Sequence, residues 1–575
     1  MRFVFGLVFL VIYFFFYVLV GAVLGNVAGV VLGWGIDHMI GGGERLRQIT
    51  GFFGLVAGAL IGYRMWASAS AGPPPSTVHG SAQFATDGDV RKTLRRASGL
   101  IVGRENRRGG ALLRHAAPGH LLTIAPTRSG KGVGAIIPNL LACDRSVFCL
   151  DPKGENTQVT YDRRRQLGPV HVLDPFGVTG MPQARYNPMD VLDPDNPDLA
   201  EDAAVLADAL VYDPPAHLGE AHWNEEAKAL IAGLMLHVAC SRPKAERTLA
   251  TVRDLLSGSP DEFDGMLAEM QKSTAAGGLV SRAANRHLSK SDREAAGVLS
   301  SAQRHTHFLD STRLNATMAA SDFRFSDLKT SWCTVFLVLP PDRIDTYSRW
   351  LRLLVAQGLR ELAGAPADDG PPVLFLLDEF ATLGRLEPIE RAFGLMAGYG
   401  VQLWPILQDM HQLWGAYGER AGTFLSNASL LQVFNVADYN TAEWISKSLG
   451  ATTVTYETSG TSTSHPPNQL FSTHGSSTST HYARRELMTP DEVMRLHPSL
   501  ELLLRPGEAP VVAQKVRYYA DPEFQGLFTT ATPQARAMRI AARAAEAPQL
   551  SEPGSLETPP ERGASRRSPD AAPPS

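Results

Sequence analysis

The sequence predicts an α/β core that is interrupted by an all-helical insertion and preceded by a two-helix membrane hairpin. Three observations predict it. From Leu121 onward, short continuous apolar runs alternate with helical patterns, as buried parallel strands and their crossover helices do. From Asp198 to about Ala319 the strand signal stops and long amphipathic stretches replace it. At the N-terminus, Phe3 to Ile36 is charge-free over a length matched nowhere else in the chain, and a second apolar run follows from Ile49 to Tyr63.

The N-terminal runs come first. A helix of about 20 residues spans a bilayer's hydrocarbon core, so the first run is long enough to cross with tilt. The second, short by itself, extends through Met65 and Trp66, and a polar loop from Asp37 to Gln48 separates the two. Only Arg2 precedes the first span, whereas Arg64, Arg91, Lys92, Arg95 and Arg96 follow the second. That excess of positive charge favours both termini on the cytoplasmic side. A cleaved signal peptide would have an apolar core of only about 7–15 residues, so cleavage is disfavoured. Glycines recur at Gly21, Gly25, Gly29 and Gly33 and again at Gly54, Gly58 and Gly62. Spacing by four puts each set on one helical face, where backbones can approach closely. The spacing leaves open whether those faces meet within one chain or between chains.

Residues 71–76 (AGPPPS) read as a stiff linker. Beyond it, the expected strands are Leu121–Ile124, Val147–Leu150, Val170–Leu173, Thr334–Leu339, Val373–Leu377, Leu403–Leu407 and Leu430–Val436, the sixth weakened by Pro405. Domain boundaries are expected at 1–70 for the membrane hairpin, 71–195 and 321–528 for the two parts of the α/β domain, and 196–320 for the helical insertion. Thr458 to His481, rich in Ser, Thr and His, reads as a mobile loop, and 529–575 as a disordered tail.

Composition narrows the function classes. The chain of 575 residues exceeds one ordinary core, and 44% hydrophobic with 19% charged residues fits a globular protein with membrane-embedded length. A net charge of −4 gives no global basic signal, so a nucleic acid would have to bind a local patch or a pore. Cys143, Cys149, Cys240 and Cys333 are scattered without ligand spacing, which reads as reduced, mostly buried thiols.

The chemistry concentrates after the first strand. Ala125, Pro126, Thr127, Arg128, Ser129, Gly130, Lys131 and Gly132 form a phosphate-binding loop that leads into a helical run. It departs from GxxxxGK[ST] twice: alanine replaces the first glycine, and Gly132 stands where a hydroxyl would ligate Mg²⁺. Gly130 still lets the backbone wrap a phosphate, and Lys131 supplies the cation. The missing hydroxyl leaves Mg²⁺ to water and a distant carboxylate. Asp378 and Glu379, at the end of Val373–Leu377, supply the candidates: Asp378 for the metal, Glu379 to orient and deprotonate the attacking water. Gln408, ending the next strand, is placed to sense the γ-phosphate or position water, with a cap as the alternative. Asp151, Lys153 and Glu155 (DPKGE) fall at the same sheet edge, where they shape the site, bind DNA or form an ordinary turn. Arg128, Arg385, Arg391, Arg484 and Arg485 are candidates for a second cation at the transition state, and the sequence does not choose among them.

These pieces together resemble the TraG-type coupling proteins of type IV secretion and conjugation. The matching stretches are APTRSGKGVGAIIPNLL at 125–141, DPKGE at 151–155, LDPF at 173–176, HWNEEAKALIAGLMLHV at 222–238, FSDL at 325–328, LLDEFATLGRL at 376–386 and ELMTPDEVMRL at 486–496. The GKG ending matches that family's own variant of the loop. The resemblance implies a RecA-like P-loop motor domain using ATP and Mg²⁺, an all-α cap and a homohexamer around a channel. It further implies a multi-pass protein of the bacterial inner membrane, its main domain cytoplasmic. Its implied partners are single-stranded DNA with a relaxase, or protein effectors, and the components of the secretion channel. The basic cluster from Arg91 to Arg114 then lies between membrane and motor, as a contact for DNA or lipid or as a solvated run. A chromosome-segregation DNA pump is disfavoured by the helical insertion and by two spans rather than four. An ATP-dependent docking scaffold with little turnover is the other alternative. No LSGGQ-like signature of an ABC transporter occurs.

Overall fold

The computed structural model describes residues 2–40, 43–70, 77–107, 109–212, 221–366, 370–464 and 473–529, which form two units. The expected tail from 530 onward and the linker 71–76 lie outside the described residues.

One unit joins residues 1–82 to 450–487. Helices α1 (Arg2–Ile40) and α2 (Gly43–Ser70) contain two stretches long and apolar enough to cross a membrane, Phe14–Ile36 and Gly43–Met65. The polar stretch expected as a loop is helical over 37–40 and again over 43–48, residues 41–42 lying outside the described residues, and Gly43 takes φ +68°. The glycine stripes face each other within the chain. A Cβ on Gly25 would sit 2.1 Å from the Gly54 carbonyl oxygen, and one on Gly58 2.0 Å from that of Gly21. The close approach therefore builds the hairpin itself.

Thirteen strands occur among the described residues: β1 (Leu100–Arg104), β2 (Leu112–His115), β3 (His120–Ile124), β4 (Val147–Leu150), β5 (Val170–Leu173), β6 (Thr334–Leu337), β7 (Val373–Leu377), β8 (Val401–Leu407), β9 (Ala428–Val433), β10 (Ala451–Ser464), β11 (Thr473–Glu486), β12 (Leu500–Leu504) and β13 (Val511–Gln514). The described parts of the segment read as a mobile loop within the α/β domain, 458–464 and 473–481, belong instead to a long antiparallel ribbon. β10 and β11 pair in unbroken register from Ala451 opposite Glu486 to Ser464 opposite Thr473, and they group with the N-terminal unit. Low hydrophobicity argues for disorder, but Thr and Tyr fit a pleated strand, and the Tyr456 ring stacks on His481 directly opposite. The ribbon's base is pinned to the chain leaving the anchor: Ala82 N–H donates to the Ala451 carbonyl at 3.0 Å, and Thr453 Oγ1 to that of Gly80 at 3.0 Å.

The other unit holds the remaining eleven strands in one sheet, in the order β2-β1-β13-β12-β9-β3-β8-β7-β4-β6-β5. The block from β9 to β5 is parallel and contains the seven strands expected from apolar runs. Pro405 is tolerated because β8 pairs with β3 only past it, through Ile406 and Leu407. Four antiparallel strands extend the sheet beyond β9. Asn139 locks β1 on like an extra strand residue, accepting from Ile101 N–H and donating to the Ile101 carbonyl, both at 2.8 Å. Between β5 and β6 the elements among the described residues are all helices, the long ones running from Leu199–Leu210 to Asp292–Thr306. There the Trp223 ring packs where a Cβ on Gly297 would lie only 2.7 Å away.

A file of buried polar side chains crosses four adjacent strands and sets their register. Trp404 Nε1 donates to Thr123 Oγ1 (2.8 Å), Thr123 Oγ1 to Gln432 Oε1 (2.9 Å), and Gln432 Nε2 to Glu501 Oε2 (2.7 Å). Burial pushes the Glu501 carboxyl up to about 8 from 4.5, against the Gln432 bond and the charge of Lys515. Between pH 4.5 and 8 the folded state keeps a proton that the unfolded chain has lost, so stability falls as pH rises through that window. Glu501→Gln removes this dependence. Its melting temperature should exceed the parent's by more at pH 8 than at pH 5, and an equal difference at both pH values would contradict the buried neutral acid.

Candidate functional site

β3 is buried along its whole length, and the chain stays on the sheet through Ala125, whose N–H donates to the Leu407 carbonyl at 2.7 Å. Ala125 does not take positive φ, so the first glycine of the usual motif is not needed here. A turn then closes from Ser129 N–H to the Pro126 carbonyl at 3.1 Å. Arg128 (φ +64°) and Gly130 (φ +95°) bracket Ser129 in left-handed conformation. Such turns direct successive amides to one side and make a concave anion site. A Cβ on Gly130 would meet nothing within 4 Å, so its dihedral rather than space calls for glycine. Beyond Lys131 the chain enters a π-helical turn, Gly132–Ile136, and then the helix Ile137–Ala142. A Cβ on Gly132 would find only Asn156 Oδ1, at 3.9 Å, so what the position lacks is a hydroxyl and not room.

β7, also fully buried, carries Asp378 and Glu379 past its end. β8, lying between β7 and β3, carries Gln408. The structure brings these groups together. Lys131 Nζ lies 2.8 Å from Asp378 Oδ1 and 2.9 Å from Glu379 Oε2. Gln408 Nε2 donates to Glu379 Oε1, and Thr127 Oγ1 donates to Gln408 Oε1 at 3.2 Å, closing a ring back to the loop. Burial alone would lower the Lys131 ammonium, but the two carboxylates outweigh it and hold it above its ordinary value. Glu379 itself is left-handed (φ +59°), a conformation costing a residue with a side chain about 1–2 kcal/mol. Thr382 holds it there, with N–H and Oγ1 both donating to the Glu379 carbonyl at 3.0 and 2.8 Å.

Three further features at this edge carried no motif or a misleading one. Asp151 of DPKGE is buried and caps the helix Glu155–Leu167, accepting from Thr157 N–H and Oγ1 at 2.8 Å each. Burial, with the charge of Asp378 adding to it, pushes Asp151 up to about 6 despite these bonds. Lys153 and Glu155 stay exposed. The loop after the acidic pair is clamped by Arg352, which donates to the Arg385 carbonyl at 2.8 Å and lies 3.9 Å from the centroid of the Tyr212 ring. Tyr212 in turn leads into the helical segment: its carbonyl accepts from Arg349, Arg349 donates to His305 Nδ1 at 3.2 Å, and His305 Nε2 donates to Asn224 Oδ1 at 2.9 Å. The third feature is Lys515, which touches the loop backbone. Of the candidate arginines, Arg128 is exposed, Arg385 lies 3.9 Å from Glu390, and Arg391 pairs with Glu387 at 2.8 Å. Arg484 and Arg485 belong to β11, in the other unit. The four cysteines are unpaired, three of them buried.

The chain is similar to known proteins over most of its length. A family model described as type IV secretory system conjugative DNA transfer matches residues 83–540. The conjugal transfer protein TraG of Escherichia coli is 28% identical, over 81% of this chain and 80% of that protein. The protein VirD4 of Agrobacterium fabrum is 31% identical, over 78% of this chain and 67% of its own length. Among solved structures, the bacterial conjugative coupling protein TrwBdeltaN70 in complex with sulphate superposes with a TM-score of 0.60 at 17% identity, covering 80% of this chain and 98% of that one. The plasmid coupling protein TrwB in complex with ADP and Mg²⁺ gives 0.58 at 18% identity, over 80% and 99%.

Proposed function

Since the chain belongs to the conjugative DNA-transfer family of type IV secretory systems, we propose that it is an ATP-hydrolysing coupling protein that energises passage of cargo into a secretion channel. The closed ring of Lys131, Asp378, Glu379, Gln408 and Thr127 carries this reading, because a motor needs its cation, acid and sensor in one place. The residues fit a Mg²⁺-bound triphosphate. Two left-handed positions shape the loop into an anion cradle, and Ser129 Oγ is buried there without a hydrogen-bond partner. Asp378, through water, and the loop would hold the metal, which neutralises phosphate charge when bound. The phosphates compete with both carboxylates for the Lys131 ammonium and so free Glu379 to act on water. Gln408 keeps the Glu379 carboxylate aimed while it takes the proton.

The finer parts of the reading follow from the family. Two apolar helices anchor the chain in the bacterial inner membrane as a multi-pass protein, with the rest cytoplasmic. It works as a homohexamer, in which a neighbour's arginine completes the site. The helical segment receives a DNA–relaxase complex or protein effectors. The path from Asn224 through His305, Arg349 and Tyr212 to Arg352 supports coupling of that segment to the loop after Glu379. A photo-crosslinking residue at exposed Glu269 or Lys272 should trap travelling cargo in cells that carry a working channel. Cargo trapped equally when the crosslinker stands on the exposed Lys153, and not at these positions, would move docking away from the helices.

A further inference from the structure

We infer that Lys515 is a positioning residue of the nucleotide site, fixing the peptide between Ser129 and Gly130 so that the Gly130 amide faces the phosphates. The inference rests on the reading that this loop binds a nucleoside triphosphate. Lys515 follows β13, one of the antiparallel strands, and belongs to none of the motif stretches. Its Nζ donates to the Ser129 carbonyl at 2.8 Å and to Asn435 Oδ1 at 2.6 Å, and it stands 4.4 Å from the centroid of the Phe434 ring. Phe434 and Asn435 are rigid partners, since Phe434 N–H donates to the Ile124 carbonyl at 2.9 Å and Asn435 Nδ2 to that of Leu496 at 2.9 Å. No carboxylate lies within ion-pair distance of this ammonium among the described residues. Its contacts are carbonyl oxygens and a ring face, arranged around one loop peptide.

The consequence is geometric. In a trans peptide the carbonyl and the following N–H point in opposite directions, and no cis bond occurs among the described residues. Holding the Ser129 oxygen toward Lys515 therefore turns the Gly130 N–H away from it. A left-handed residue stands on each side of Ser129, and such a peptide has little steric resistance to flipping. Flipped, it would present a carbonyl where an anion needs a donor. The neighbouring chain adds a second brace: a Cβ on Gly134 would lie 3.1 Å from the Val516 carbonyl oxygen, so the segment after β13 packs directly on the loop's helix.

Amides that cradle phosphates act alike in the ground state and the transition state, so losing one weakens binding and leaves the chemical step alone. For the full-length protein in detergent with Mg²⁺, Lys515→Met should weaken a fluorescent ATP analogue by about tenfold or more. KM should rise in step, with kcat changed less than about threefold. Lys515→Arg, which keeps a cationic donor, should recover most of the affinity at an unchanged melting temperature. If Lys515→Met does not fold, Asn435→Ala releases the ammonium from its side-chain acceptor and should show the same KM effect in weaker form. Parental affinity in a folded Lys515→Met protein, or a fall in kcat at unchanged affinity, would overturn the assignment. A parent chain that binds no nucleotide would instead remove the functional reading on which it rests.

Discussion

Lys131→Ala should lose nucleotide turnover by about a hundred- to a thousandfold and abolish cargo transfer, while the protein still inserts into membranes. Lys131 is the cation that the acidic pair holds, at 2.8 and 2.9 Å. In its place alanine offers no charge to the β- and γ-phosphates, and a preorganised donor at a developing charge is worth that factor. The variant has a second consequence. Asp378 and Glu379 lose the charge between them, and two adjacent carboxylates without a cation repel triphosphate further. Nucleotide titration and phosphate release on the same preparation separate the two effects. Turnover within threefold of the parent would remove Lys131 from the machinery.

Glu379→Gln should bind nucleotide with near-parental affinity yet lose hydrolysis by about a hundred- to ten-thousandfold. The amide keeps the size and can still face Gln408 and Lys131, but it cannot take a proton from water. Because the left-handed backbone at Glu379 is held by Thr382, the substitution leaves the loop geometry in place. Nucleotide should therefore stay trapped on the variant, and transfer should fall as far as it does in Lys131→Ala. Parental phosphate release by the Glu379→Gln protein would take Glu379 out of the proton-transfer role.

What could be read from sequence followed burial. The seven parallel strands are continuous apolar runs because helices or neighbouring elements cover both faces, and Val147–Leu150, Val170–Leu173 and Val373–Leu377 fall at the bounds expected of them. The four antiparallel strands escaped because they are short and mixed. Leu112–His115 alternates between half-buried and buried, and Leu500–Leu504 carries the buried Glu501 that breaks its apolar run. The ribbon of β10 and β11 escaped for the opposite reason: the described side chains from Thr455 to Thr461 are exposed, so no apolar period marks it.

The same division runs through the site. Asp378, Glu379 and Gln408 announce themselves because each sits where an apolar strand stops, and Lys131 because it ends the glycine-containing loop between a strand and a helix. Arg352, Tyr212 and Lys515 do not, since each acts through a backbone carbonyl or a ring supplied by distant sequence. Lys515 lies 386 positions from the Ser129 it holds. A lysine after a short, half-buried strand carries no local signal of such a role. Asp151 shows how a motif can mislead about role: its carboxylate is turned inward to cap a helix, while the neighbouring charges of the same motif face solvent.

The central claim is that this ring of residues hydrolyses ATP to move cargo, and phosphate release by the full-length protein tests it most directly. With Mg²⁺ and ATP, the detergent-solubilised chain should release phosphate, faster in the presence of single-stranded DNA, and Lys131→Ala and Glu379→Gln should abolish both rates. Release no faster than that of the Lys131→Ala protein, with DNA or without it, would contradict the account and leave a nucleotide-dependent docking scaffold in its place.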